Sequence, residues 1–180
     1  MGSGMSTPVG PDVWRDLFER LVAQKQRLLE TGGTEADTCP NPGAAEAQLA
    51  TAERRLGRPL AARYRELLSI ADGWDYFYLS FSLLGSADIG VGPRWESGLQ
   101  IAQLWFDDEE WGEEIGANVT AADFQPLVTS DNGYSNTAFL FIGDSDVLRP
   151  GSVVELPIDE PYPDLYSYLV TQIDEITMYG

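Results

Sequence analysis

The segment AEAQLATAERRLGRPLAARYRELLSIADGW, residues 45–74, decides the fold of this chain. Its apolar residues recur at helical spacing and predict two helices, at about residues 44–56 and 60–71. Gly57 and Gly73 follow these helices, where glycine is common because it adopts a left-handed backbone without strain. Pro59 suits the start of the second helix, since a proline there loses no hydrogen bond. Helices with so short a link must pack against each other as a hairpin or a bent pair.

The pattern changes from helix to strand at Trp74, which we expect to be a core anchor at this corner. Residues 76–84 are aromatic and partly alternating, which predicts a strand. Residues 85–98 contain glycines and a proline and predict a loop. Residues 99–106 are ambiguous between strand and helix, although the spacing of their apolar residues favours a helix.

The remaining patterns complete an α+β fold. Apolar residues at helical spacing predict helices at residues 11–30 and after Pro161, and clearer strands are predicted at residues 125–129, 137–142 and 152–157. The turn sequence Asp131-Asn132-Gly133 separates the first two of these strands, as in a hairpin. We therefore expect N-terminal helices, a mainly antiparallel sheet covered on one face by helices, and a C-terminal helix. The predicted divisions are a disordered, tag-like start (1–10), a helical extension (11–30), a loop (31–43) and one domain (44–180).

The charge of the chain is strongly negative and unevenly distributed. Its 29 acidic and 11 basic residues give a net charge of −18. Residues 1–60 contain 8 acids and 7 bases, whereas residues 61–180 contain 21 acids and 4 bases. Such a surface repels nucleic acid and anionic lipid and attracts cationic partners. The alternative is that the acidic surface serves only to keep the protein soluble.

The residues that are missing exclude several classes of function. There is no histidine, which removes Ser-His-Asp and Cys-His catalysis and histidine-ligated metal sites. A single cysteine, Cys39, allows no internal disulfide. No signal peptide is recognisable, and no apolar segment approaches the roughly 20 residues that span a bilayer. These features favour a cytoplasmic protein without a membrane association.

The segment at residues 45–74 resembles the opening of the SUKH superfamily, which includes yeast cell-wall synthesis regulators and bacterial immunity proteins. The matching features are Leu-Gly, Pro-Leu, Tyr-Arg-x-Leu-Leu and Asp-Gly-Trp, which stand here at residues 56–57, 59–60, 64–68 and 72–74. Residues 81–85 are similar to the next strand of the family, with its Leu-Leu-Gly ending. The resemblance covers about residues 44–178, and helix 11–30 departs from it. It implies a small α+β domain without enzymatic activity that, in bacterial members, neutralises a cognate toxin by direct binding.

An acidic run is the first candidate contact surface. Six carboxylates and one tryptophan fall within eight residues, at Asp107, Asp108, Glu109, Glu110, Trp111, Glu113 and Glu114. Like charges this close repel one another, so the run must be solvated or must face a cation. It would suit the phosphate-binding groove of a basic toxin, with the tryptophan as an anchor. The alternative is a solvated acidic loop or helix end.

Aromatic residues next to carboxylates form the other candidate surfaces. Asp75 and Tyr76, beside Asp72, suit an interface that grips arginine side chains through ion pairs and cation–π contacts. The alternative is an aromatic strand half-buried in the core. Tyr134, in the turn region between two predicted strands, is a further candidate partner contact.

We expect no catalytic residue, no metal and no cofactor, and we expect the partner to be a basic toxin. Residues 144–155 place Glu155 at the closing position of a calcium-binding loop, but Leu148 and Arg149 occupy positions that the EF-hand pattern reserves for other residues. Two alternatives to an immunity protein stay open: an intracellular regulator or scaffold, and a carboxylate-pair hydrolase. Because a carboxylate pair is defined in space, the sequence selects none. The oligomeric state is also left open.

Overall fold

The computed structural model of the chain describes residues 7–33, 35–108, 110, 118–131, 133–157 and 159–179. Within these residues the helices are α1 (Pro11–Glu30), α2 (Glu46–Leu56), α3 (Ala62–Ile70), α4 (Pro93–Phe106) and α5 (Leu165–Tyr179). The strands are β1 (Trp74–Tyr78), β2 (Phe81–Leu83), β3 (Phe124–Ser130), β4 (Gly133–Phe141) and β5 (Val153–Glu155), and a short 3₁₀ helix covers Ala121–Asp123. The α+β class and the order of elements confirm the prediction from sequence.

The five strands form one antiparallel sheet in the order β1-β2-β3-β4-β5, so each strand pairs with its neighbours along the chain. The predicted hairpin between β3 and β4 is confirmed by the pairing of Ser130 with Gly133. The single strand predicted at residues 76–84 is wrong, because the chain turns at Leu79 and Ser80 and forms the β1–β2 hairpin. Leu79 adopts a left-handed backbone with φ of 49°, which is rare for a leucine and is not predictable from its residue type.

Both faces of the sheet are buried, whereas the sequence predicted helices on one face only. Neighbouring residues on a strand point to opposite faces. On β4, Ala138 and Leu140 belong to the larger core, which also contains side chains of α1, α3 and α5. Phe139 and Phe141 belong to a second core with Ala102 and Phe106 of α4.

Helix α4 covers the second face, and its first half was predicted as loop. Proline is favourable in the first turn of a helix, and Pro93 occupies that position in α4. The helical interpretation of residues 99–106 is confirmed. Helix α4 lies close to β3, because a Cβ atom at Gly98 would stand only 2.6 Å from Cβ of Pro126. Glycine therefore permits the close approach of helix to strand at this point.

Helix α1 is part of the larger core and packs mainly against α5 and α3. Its buried side consists of Trp14, Leu17, Phe18, Leu21, Lys25 and Leu28. Lys25 is buried on this side, although basic residues usually lie on the solvated faces of a helix. Lys25 follows Leu21 by four residues and precedes Leu28 by three, so it falls on the apolar stripe.

The segment at residues 45–74 joins the helices to the sheet as predicted. Trp74 is buried, which confirms it as a core anchor, and the buried Tyr64 hydroxyl donates to the carbonyl of Leu84 at 2.7 Å. Gly73 has φ of 79°, and a Cβ atom there would lie 2.6 Å from the backbone nitrogen of Gly85. The two glycines therefore allow the end of α3 to pass directly over the end of β2.

Candidate functional site

The candidate site is a surface group of five side chains, Asp75, Tyr76, Asp88, Arg94 and Asp131, which we call the Tyr76 cluster. Arg94 Nη1 lies 2.5 Å from Asp75 Oδ1 and 4.0 Å from Asp88 Oδ2. The guanidinium carbon of Arg94 lies 5.9 Å from the centroid of the Tyr76 ring. The Tyr76 hydroxyl donates to Asp131 Oδ2 at 2.7 Å. A guanidinium is thus held over a tyrosine ring and between carboxylates.

Backbone geometry directs Tyr76 into this position. Its φ is 51°, and the register of β1 and β2 is irregular between Trp74 and Tyr78. Such irregularities re-aim side chains and bend a strand. The backbone N–H of Tyr76 donates to Ser82 Oγ at 3.0 Å. Its carbonyl accepts from Lys25 Nζ and, at 3.2 Å, from Thr38 Oγ1. These hydrogen bonds fix the backbone of Tyr76 in its left-handed conformation.

The cluster carries three carboxylates and one guanidinium, a net charge of −2. The hydrogen bond to Asp131 raises the pKa of Tyr76, because it stabilises the protonated phenol. Partial burial lowers the pKa of Arg94, but the hydrogen bond to Asp75 and the nearby carboxylates raise that pKa by more. Asp75 and Asp131 are exposed and Tyr76 is half-buried, so the cluster is accessible to a partner.

Asp72, a predicted partner of Asp75 and Tyr76, has a separate structural role. Its two carboxylate oxygens accept from the backbone N–H and the hydroxyl of Ser86, both at 2.6 Å. This half-buried side chain therefore fixes the loop that follows β2. The structure brings Asp75 and Tyr76 together with Arg94 and Asp131, and it does not include Asp72.

The described part of the acidic run lies at the C-terminal end of α4. Asp107 Oδ1 accepts from the backbone N–H of Ala121 at 2.8 Å, and Asp108 Oδ1 accepts from the N–H of Glu110 at 3.1 Å. Asp107, Asp108 and Glu110 are all exposed. Asp107 therefore also holds the 3₁₀ helix against α4. The other predicted residues of the run lie outside the described residues, at Glu109, Trp111, Glu113 and Glu114, as does the side chain of Tyr134.

A second group of carboxylates was missed from the sequence. Glu155, Glu175 and Tyr162 line a cavity of about 520 Å³, here called the Glu155 pocket. Glu155 Oε1 accepts from Asn136 Nδ2 at 2.8 Å, and its buried Oε2 has no hydrogen-bond partner among the described residues. Burial, with a contribution from Glu175, raises the pKa of Glu155 to about 7. Burial also raises the pKa of Glu175.

The sequence contained one indirect signal for Glu155. It lies in the predicted strand 152–157, directly between Val154 and Leu156. Strand alternation places Glu155 on the same face as Val153, which belongs to the larger core. Tyr162 and Glu175 line the same pocket, so residues that follow in the sequence help to withdraw this carboxylate from water.

The comparisons with known proteins give no family assignment. No protein-family model matches this chain, and the search of curated proteins returns no match. None of the described helices combines the length and the apolar character that are needed to cross a bilayer.

Proposed function

We propose that this protein is an immunity protein that binds a basic toxin and neutralises it by protein–protein contact, without chemistry. The observation that carries the proposal is the Tyr76 cluster, in which carboxylates and an aromatic ring hold a guanidinium at the surface. Arginine is the cation best suited to such a site, since its planar group stacks on rings and pairs with carboxylates. The proposed resemblance of residues 44–178 to the SUKH superfamily supports the same class of function.

The proposed mechanism is electrostatic and steric. The net charge of −17 on residues 61–180 attracts a basic domain from a distance and speeds its encounter with this protein. In the complex, an arginine of the toxin contacts Tyr76 and the exposed oxygens of Asp75 and Asp131, each of which can accept more than one hydrogen bond. Asp108 and Glu110, about 20 Å away at the other end of α4, provide a second acidic region for the toxin. The bound protein then blocks the substrate groove of the toxin.

Charge reversal within the cluster tests this proposal. The product of the gene adjacent to this one is tested as the toxin, by expression in cells that contain the wild type, Asp75→Lys/Asp131→Lys, or the matched control Asp16→Lys/Glu30→Lys, whose sites are exposed on α1. We expect the control to protect growth and the cluster variant to fail, with an association rate constant at least about tenfold lower for the purified pair. We also expect the wild-type rate constant to fall steeply with salt.

Each contrary outcome has a defined meaning. Protection by the cluster variant would place the interface elsewhere. Equal loss in the cluster and control variants would show that only the total charge matters. A wild type that neither protects growth nor binds the toxin would refute the immunity function.

A carboxylate-pair hydrolase is a second candidate, because the Glu155 pocket contains the required chemistry. Such enzymes need one protonated and one ionised carboxyl group at neutral pH. Glu155, with its pKa raised to about 7, suits the acid, and Glu175 is a second carboxyl group that lines the same pocket. Release of 4-nitrophenol from aryl glycosides and aryl esters would be compared for the wild type and Glu155→Gln. Equal rates in the two proteins would exclude this function.

A further inference from the structure

A cavity at the start of α3 differs in charge from the rest of the molecule. Its volume is about 430 Å³, within the range of about 300–1,000 Å³ that is typical of small-molecule sites. Arg58, Arg63 and Gln125 line it, and Pro59, Ile142 and Pro150 supply apolar walls. None of its lining residues is acidic, although the chain carries a net charge of −18. We call this cavity the Arg58 pocket.

Arg58 supplies a cation that has no carboxylate partner among the described residues. Arg63, Arg65 and Arg94 each form an ion pair with at least one acid. Arg58 instead donates from Nη2 to Gln125 Oε1 at 3.4 Å. Partial burial lowers the pKa of Arg58, and no neighbouring acid raises it again. An arginine stays protonated at neutral pH even so, and its positive charge is therefore available to a ligand.

Gln125 supplies a buried donor without an acceptor. Its side chain is only 2% exposed, and Nε2 has no hydrogen-bond partner among the described residues. The contact of Arg58 with Oε1 fixes the orientation of the amide, since the opposite orientation would set two donors against each other. A buried donor without an acceptor is costly, and such an atom in a native fold calls for a partner.

The N-terminus of α3 adds further donors to the same cavity. This helix has nine residues, and Ala61, which precedes it, provides no side-chain hydrogen bond to its first turn. The first backbone N–H groups of a helix lack partners within the helix and carry partial positive charge. Ala62 and Arg63, at this end, line the pocket. The neighbouring acids have partners of their own: Glu53 accepts from the N–H of Leu60, Glu66 pairs with Arg63, and Asp164 in an adjoining cavity accepts from Thr7 and Ser167.

We infer that the Arg58 pocket binds a small organic anion, with its carboxylate or phosphate group between Arg58, Gln125 Nε2 and the start of α3. The apolar body of the ligand lies against Pro59, Ile142 and Pro150. Helix N-termini and arginine are the usual donors to such oxyanions. The site shares no residue with the Tyr76 cluster, so this inference is independent of toxin binding.

The test titrates the full-length protein with benzoate, phenyl phosphate, inorganic phosphate and neutral benzyl alcohol, followed by calorimetry and by amide NMR. We expect benzoate, phenyl phosphate or both to bind, with shifts confined to the side-chain amide of Gln125 and the backbone amides of residues 62–63. A response to benzoate alone identifies a carboxylate site, and a response to phenyl phosphate alone identifies a phosphoryl site. Inorganic phosphate should bind more weakly than phenyl phosphate, because it leaves the apolar walls uncovered.

Variants connect the binding to the proposed residues. Arg58→Gln and Gln125→Leu should each weaken binding at least about tenfold, because each removes a donor to a charged group. Arg54→Gln, an equal charge change at an exposed site on α2, should leave binding unchanged. Absence of binding by both aromatic anions up to about 10 mM would overturn the inference. So would equal binding of benzyl alcohol, or an equal loss in Arg54→Gln.

Discussion

The Nζ atom of Lys25 lies 5.5 Å from the centroid of the Trp74 ring, inside the larger core. The same ammonium group donates to Thr38 Oγ1 at 2.8 Å and to the carbonyl of Tyr76. Burial lowers the pKa of Lys25, while the nearby carboxylates of Glu35 and Asp37 oppose that change. This one side chain therefore connects α1, the loop after it and the strand that presents the Tyr76 cluster.

Replacement of Lys25 by methionine should destabilise the fold. The variant removes the charged donor from the Tyr76 carbonyl, which keeps the hydrogen bond from Thr38, and a hydrogen bond to a charged group contributes about 1.5–3 kcal/mol. The free energy of unfolding in urea measures the effect. Arg20→Met, at an exposed site on the same helix, is the matched control and should change stability by less than about 0.5 kcal/mol. Equal free energies of unfolding of the two variants would show that Lys25 does not stabilise the fold.

Replacement of Asp131 by asparagine should lower the pKa of Tyr76. In the wild type the hydrogen bond to Asp131 and its negative charge both favour the protonated phenol. Tyrosine labelled with ¹³C at Cζ allows the Tyr76 titration to be followed separately by NMR. Asp146→Asn, at another exposed acid, should leave this titration unchanged. A Tyr76 pKa that is the same in all three proteins would contradict the contact.

The pH dependence of stability should change when Glu155 becomes glutamine. The pKa of Glu155 is raised from 4.5 to about 7 in the folded protein. Between these values the folded state binds more protons than the unfolded state, so Glu155 lowers stability as pH rises through this window. Glu155→Gln should therefore be about 3 kcal/mol more stable than the wild type at pH 8, and about equal to it near pH 4.

Chemical denaturation at a series of pH values measures this difference. Glu160→Gln, an exposed acid of the same pocket, serves as the control and should follow the wild type. A difference between Glu155→Gln and the wild type that does not vary with pH would show that Glu155 is ionised at neutral pH in the folded protein.

Replacement of Gly98 by alanine should destabilise the contact of α4 with β3. Alanine is favoured over glycine in a helix by about 1 kcal/mol. A Cβ atom at Gly98, however, would lie 2.6 Å and 2.7 Å from two ring carbons of Pro126, and overpacking of this kind costs about 1–3 kcal/mol. We expect a net loss, measured by thermal unfolding, whereas Ser97→Ala on the exposed side of α4 should not destabilise the protein. A more stable Gly98→Ala variant would contradict the close packing.

The sequence predicted those parts of the fold whose cause is local. The buried positions of α3, Tyr64, Leu67 and Leu68, follow from helical spacing, and the β3–β4 hairpin follows from its turn residues. The turn at Leu79 was missed because its backbone is imposed by the surrounding sheet and not by a turn-forming residue. The residue type of Lys25 does not indicate its burial, because lysine is rarely buried, and only its position on the apolar stripe of α1 does.

The candidate site was predictable only in part for a related reason. Asp75 and Tyr76 are adjacent in sequence, and their chemistry indicated an arginine-binding surface. Their partners are distant in the sequence: Arg94 is 19 residues from Asp75, and Asp131 is 55 residues from Tyr76. Only the folded sheet and the start of α4 bring these residues together. Arg94 of this chain therefore occupies the position that we expected an arginine of the partner to fill.

The packing of α1 against α5 has a consequence for biosynthesis. Trp14 and Leu17 lie about 150 residues before the helix that packs against α1, so they are translated well before it. Until then the nascent chain exposes an apolar stripe that attracts chaperones and proteases. Synthesis of α5 is thus the step that allows the apolar stripe of α1 to be covered.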